Sequence, residues 1–155
     1  MVIRIVQARS GRQIARVREL LSEYVAELGL DLGFQDFATE FADLPGRYAP
    51  GRGCLLLAMA GWTPVGCVAM RPLGRTTCEL KRMYVRPRWR GRGVGRRLAM
   101  AVIASARRAR YKRIRLDTIP KLREATALYR SLGFAEIAPY YKTPLKDALF
   151  MELAL

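Results

Sequence analysis

Residues 90–96 read Arg-Gly-Arg-Gly-Val-Gly-Arg, with Gly91, Gly93 and Gly95 at alternate positions inside a stretch crowded with arginine. Glycine at every second position suits neither a helix nor a strand interior. It suits a turn that something else approaches closely. Apolar residues at helical spacing follow at Leu98, Ala101, Val102 and Ala109, so the glycines sit where a helix begins. The first N–H groups of a helix have no intrahelical acceptor and carry partial positive charge. Missing Cβ atoms let phosphate oxygens reach those groups. Arg90, Arg92, Arg96 and Arg97 add guanidinium donors suited to phosphate. The pattern therefore fits a phosphate or pyrophosphate.

Two common phosphate turns are excluded. A P-loop needs Gly-Lys-Ser/Thr, whereas Gly95 is followed by Arg96 and Arg97. A dinucleotide fingerprint needs G-x-G-x-x-G, and here the third glycine comes one residue early; Asp117 at a ribose-contact distance is then a weak coincidence. The chain has no histidine, which removes every Ser-His and Cys-His mechanism. Cys54, Cys67 and Cys78 fit no metal-ligand spacing, so no metal is expected and the thiols read as buried and reduced.

Elements that hold the turn follow from periodicity. "MVIRIVQA" is loosely strand-like, Ser10 is placed to cap a helix, and Ile14, Val17, Leu20, Leu21, Tyr24, Val25 and Leu28 form one helical stripe that Gly29 ends. A shorter helix is predicted over 34–44. "CLLLAMA", "VGCVAMRP" and "CELKRMYV" are three consecutive strands, followed by the glycine turn, a helix and the strand "RIRLDT". Leu122, Ala125, Leu128, Tyr129 and Leu132 mark a last helix closed by Gly133, before the strands "FAEIA" and "ALFMELAL". The 155 residues show no linker or repeat, so one α/β (α+β) domain is predicted over 1–155. Its central sheet is mixed, with hairpins early and a parallel crossover around the glycine turn. The final strand, if exposed, offers an edge for a homodimer.

Composition narrows the setting. Apolar residues make up 51% and charged residues 26%, ordinary for a globular protein. No run approaches the roughly 20 apolar residues of a membrane span, early arginines argue against a signal peptide, and the expected location is the cytoplasm. The net charge of +15 favours an anionic partner. It is concentrated between Glu79 and Asp117, which have no acidic residue between them. A nucleic-acid module would interleave exposed aromatics with that charge; only Trp89 and Tyr111 qualify, so nucleic acid is a secondary reading.

Arg90–Gly95 also matches the [QR]-x-x-G-x-[GA] signature of the GNAT superfamily of acetyl-CoA-dependent N-acetyltransferases. "CELKRMYVRPRWRGRGVGRRLA" resembles that superfamily's fourth strand, pyrophosphate loop and following helix. "IRLDTIP" and the L-Y-x-x-L-G-F ending at Leu128–Phe134 resemble its fifth strand and fourth helix. The resemblance covers residues 53–138 and implies a sheet of about seven strands, mostly antiparallel, flanked by about four helices. It implies acetyl-CoA as cosubstrate and a primary amine as acceptor. Backbone groups of Met83, Tyr84 and Val85 would pair with the pantetheine arm, and the N–H groups from Gly91 through Arg92, Gly93, Val94 and Gly95 to Arg96 would hold the pyrophosphate. One position departs: many members carry asparagine seven residues before the tyrosine, and this chain has Leu122.

Acetyl transfer needs an amine freed of its proton, a stabilised oxyanion and a protonated leaving thiol. The resemblance makes Tyr129 the proton donor, the alternative being a tyrosine that packs on the core. It makes Glu79 the base, directly or through water, the alternative being a salt bridge to Lys81 or Arg82. The Val85 N–H suits the oxyanion. Tyr140 and Tyr141, with Phe34, Phe37 and Phe41 opposite, are candidate walls of the acceptor site. A sensor that binds acyl-CoA without chemistry is the remaining alternative.

Overall fold

The computed structural model describes residues 2–155. Strand β1 (Ile3–Gln7) leads into helix α1 (Gly11–Leu28). Ser10 caps it reciprocally with Gln13: the Gln13 N–H donates to Ser10 Oγ at 3.2 Å, and the Ser10 N–H donates to Gln13 Oε1 at 3.1 Å. Gly29 ends α1 in the left-handed region. The helix predicted over 34–44 is shorter, a 3₁₀ turn at Gly33–Gln35 and then α2 (Phe37–Asp43). Asp36 between them adopts φ 55°, which no continuous helix accommodates.

Strands β2 (Cys54–Ala60), β3 (Thr63–Pro72) and β4 (Thr77–Val85) precede α3 (Val94–Arg108), β5 (Arg113–Thr118), α4 (Arg123–Ser131), β6 (Ala135–Ile137) and β7 (Leu149–Ala154). The sheet order is β1-β2-β3-β4-β5-β7-β6. Among the described strands only β4 and β5 run parallel; the other neighbours are antiparallel. Among the described residues, seven strands, four α-helices and a mixed, mostly antiparallel sheet match the expectation. The expectation for the final strand does not hold. β7 lies between β5 and β6, and β6 covers it over Phe150–Glu152, so the outermost strand on that side is β6.

Residues of β2 alternate between two cores. Cys54, Leu56, Ala58 and Ala60 face a cluster with Leu98, Val102, Tyr129 and Phe134 of the α3/α4 layer. Leu55 and Leu57 face Val17, Leu20 and Leu21 of α1. Burial on both faces is why "CLLLAMA" is a continuous apolar run. Leu98 is fully buried beneath the turn. Leu98→Ala is expected to cost about 2–5 kcal/mol of unfolding free energy, measured by urea denaturation.

Two departures from sheet regularity shape the site. β4 and β5 pair only at Thr77–Arg113, Cys78–Ile114 and Glu79–Arg115. Past that point β4 stays with β3 and β5 stays with β7, so the two strands fork. Second, Cys67 pairs with Tyr84 but Ala69 with Lys81, so Arg82 and Met83 together oppose one residue of β3. This bulge, with Arg82 at φ 61°, switches the faces of β4. Lys81 and Arg82, adjacent in sequence, both point toward the α1/α2 layer, where each donates to Gln35.

Candidate active site

The glycine turn connects β4 to α3. Gly91 (φ 76°) and Gly93 (φ 79°) occupy the left-handed region, and a Cβ on either would meet nothing within 4 Å. Their open side faces a cleft of about 510 Å³. The first backbone bond of α3 runs from Arg97 N–H to Gly93 O at 3.1 Å. The six preceding amides, Gly91 to Arg96, find no acceptor among the described residues. Consecutive free amides at a helix start are the chemistry of an anion site, and the residues present fit a pyrophosphate.

The cleft runs from this turn along the open edge of β4 to the start of α4. Met83, Tyr84, Val85, Arg90, Gly91, Gly93, Val94, Gly95 and Arg96 line it, together with Leu122, Arg123 and Leu128. Arg92 does not; its guanidinium lies 5.0 Å from the centre of the Trp89 ring. The expected guanidinium donors are otherwise engaged. Arg90 donates to Val85 O at 2.8 Å and is paired with Glu27 at 2.8 Å, fastening the turn to β4 and α1. Arg97 donates to Ile3 O, and Arg96 to Ser131 Oγ. The turn leaves its main-chain amides free, and Arg96, with one donor given to Ser131 Oγ, also lines the cleft. Leu122 is the N-cap of α4 and makes no side-chain cap bond; it supplies only apolar wall.

A second cavity of about 80 Å³ shares Tyr24, Leu28, Met83, Leu122 and Ala125 with the cleft and continues through the fork. On the α4 side Tyr129 lines it; on the other side stand Lys81, Arg82, Gln35 and Asp117. Tyr129 is buried and its ring packs on Phe134. Its hydroxyl has no hydrogen-bond partner among the described residues yet is not sealed from the cavity. Burial pushes this phenol above its ordinary range, which keeps it protonated.

Glu79 is placed elsewhere. It pairs with Arg115 before the fork and lines neither cavity. One of its oxygens accepts from Arg71 Nε at 2.9 Å and the other from the Tyr140 hydroxyl at 2.6 Å. Its ion pair is with Arg71, not with Lys81 or Arg82. Each Glu79 oxygen thus already accepts one hydrogen bond from the protein. Tyr140 and Tyr141 pack on Phe150, Phe37 lies under Arg82 and Phe41 near Arg18. None of these aromatics, nor Phe34, lines the fork.

Sequence reasoning did not place Lys81 and Asp117 together at a cavity; both line the one that Tyr129 lines. Asp117 stands past the fork on β5, and its only sequence signal is a carboxylate ending a strand. The cysteines are free and buried. Burial pushes the Cys54 thiol up to about 11 and those of Cys67 and Cys78 up to about 12, so they are inert as nucleophiles. Of the aromatics that a nucleic-acid surface would need, Tyr111 is buried and donates to Arg52 O.

The Acetyltransferase (GNAT) family model matches residues 14–134. An uncharacterised N-acetyltransferase of Schizosaccharomyces pombe is 38% identical over 138 residues, covering 88% of this chain and 85% of the relative. An uncharacterised N-acetyltransferase of Escherichia coli is 34% identical over 141 residues, 88% of this chain and 83% of its own. Among solved structures, an acetyltransferase of Streptococcus agalactiae shares the fold with a TM-score of 0.82 at 24% identity, covering 99% of this chain and 98% of its own. A GNAT family acetyltransferase of Elizabethkingia anophelis, solved with acetyl-CoA bound, has a TM-score of 0.71 at 20% identity, covering 99% and 98%.

Proposed function

The chain belongs to the GNAT acetyltransferase family, and on that premise we propose that it moves the acetyl group of acetyl-CoA directly to a primary amine. The observation that carries this reading is the run of free amides from Gly91 to Arg96 opening on a cleft that continues past Tyr129. When bound, acetyl-CoA supplies an activated acyl carbon and a thiolate leaving group.

The residues divide the work. The amides of the turn hold the diphosphate, and the open edge of β4 over Met83–Val85 pairs with the pantetheine arm as an added strand would. The Val85 N–H is the donor assigned to the oxyanion. Tyr129 holds the proton that the departing sulfur takes. Glu79 is a positioning residue that fixes Tyr140 and Arg71 on the acceptor side. No acetyl-cysteine forms, because the three thiols are buried and protonated. The three free cysteines also suit a reducing cytoplasm, and no helix among the described residues is long and apolar enough to cross a membrane.

The test is release of free thiol from acetyl-CoA with a panel of amines, beside melting curves with acetyl-CoA and with an oligonucleotide. Thiol release and stabilisation by acetyl-CoA of about 2.7 kcal/mol at a hundred times Kd are expected. Stabilisation by acetyl-CoA without turnover would favour a sensor. Stabilisation by the oligonucleotide alone would favour a nucleic-acid module.

A further inference from the structure

We infer that the acceptor is an α-amino acid, its carboxylate read by Lys81 and its ammonium by Asp117 across the strand fork. This deepens the acetyl-transfer reading and rests on it. The α1/α2 face around the fork carries Arg71, Lys81, Arg82 and Arg115 with Glu40, Glu79, Asp117 and Glu152. Three of the pairs are closed by hydrogen bonds: Arg71–Glu79 at 2.9 Å, Arg82–Glu40 at 2.8 and 3.1 Å, and Arg115–Glu152 at 2.8 Å. The fourth is not. Lys81 Nζ stands 3.8 Å from Asp117 Oδ1, with side chains only 4% and 10% exposed.

Both members of the open pair have unused valence. Of the three Lys81 donors, one is spent on Gln35 Oε1 at 3.2 Å. Asp117 Oδ2 accepts from the Tyr141 hydroxyl at 2.7 Å, while Oδ1 accepts no hydrogen bond among the described residues. Both residues line the cavity that Tyr129 lines. A buried ion pair left short of hydrogen bonds contributes little to stability, so folding alone does not account for it. Burial pushes the Lys81 ammonium below its ordinary range, a cost that a bound carboxylate offsets.

Charge decides between acceptor classes. The face is balanced, so a simple ammonium would add one uncompensated buried cation beside Lys81 and Arg82. A zwitterion adds no net charge and lies antiparallel to the Lys81–Asp117 pair, each end meeting its opposite. The cavity of about 80 Å³ has room for the amino-acid head group.

The transfer balances with these groups. Asp117 Oδ1 takes one proton from the ammonium, and the freed nitrogen lone pair forms the C–N bond to the thioester carbon. The C–S bond breaks, sulfur takes the Tyr129 proton, and the second nitrogen proton returns to the Tyr129 oxygen. Asp117 then releases its proton to water.

The experiment compares glycine and L-alanine with their methyl esters and with methylamine and ethylamine, by thiol release from acetyl-CoA. Calorimetry follows glycine binding in the presence of coenzyme A. The expected result is a kcat/KM for the amino acids at least about 100-fold above the esters and amines, with measurable glycine binding. Lys81→Met is expected to abolish that preference by raising KM, and Asp117→Asn to lower kcat and weaken glycine binding. Unchanged acetyl-CoA affinity and melting are the fold controls, and if a variant fails them the wild-type substrate ratio decides. Equal use of ester, amine and acid would overturn the inference, as would acetyl-CoA binding with no glycine binding; the acetyl-transfer reading would survive either. Failure of acetyl-CoA itself to bind would remove that reading and the inference with it.

Discussion

Tyr129→Phe lowers kcat by about 100-fold or more while the Kd for acetyl-CoA stays within twofold. A positioned general acid is worth roughly 10²–10⁴ in rate, and the substitution removes only the oxygen. The ring that packs on Phe134 remains. Because the hydroxyl has no protein partner to orphan, the variant leaves no new unsatisfied group behind. Stopped-flow or steady-state thiol release gives kcat, and calorimetry gives Kd. The sign of the pH dependence follows from burial. With its pKa raised above the ordinary value of about 10, the donor keeps its proton throughout the neutral and mildly alkaline range. Loss of the Tyr129 proton is therefore expected to put no descending limb on the wild-type kcat below about pH 10. A Tyr129→Phe variant with normal kcat would return Tyr129 to the status of a packing residue.

Gly93→Val raises the Kd for acetyl-CoA by at least about 100-fold. Gly93 is the N-cap of α3 at φ 79°, a conformation in which a β-branched residue is strongly disfavoured. The strain relaxes by rotating the peptide units on either side, and these belong to the run of free amides. Losing two charge-assisted hydrogen bonds, each worth about 1.5–3 kcal/mol, corresponds to a hundredfold or more in affinity. Calorimetric titration measures it. Gly74→Ala is the control: Gly74 has ordinary φ and open space around its Cβ position, so affinity is expected to stay within a few-fold of the wild type.

Much of this arrangement was legible in the sequence because it depends on local rules. Ser10 and Gly29 bracket α1, the period-two and continuous apolar runs mark β2 to β4, and the glycine turn announces free amides. What stayed hidden was non-local. The turn arginines look like phosphate ligands in sequence, but Arg90 has Glu27 within reach only because α1 ends beside the turn. The bulge at Arg82 leaves no composition signal, yet it alone puts Lys81 and Arg82 on one face. Glu79 and Asp117 are both strand carboxylates. Only the fork, a matter of which strands keep pairing, separates the one that is locked to Arg71 from the one that meets the cavity. β7 reads as an exposed end because it is last in the chain, whereas β6 wraps outside it.

At the root of these expectations lies the grip of the 91–96 amides on a diphosphate. Calorimetric titration of the wild-type protein with acetyl-CoA, and in parallel with S-acetylpantetheine, which shares the thioester arm but lacks the diphosphate, measures that grip. The predicted result is saturable binding of acetyl-CoA and an affinity for S-acetylpantetheine weaker by at least about 100-fold. Equal affinity for the two, or no binding of acetyl-CoA, would contradict it.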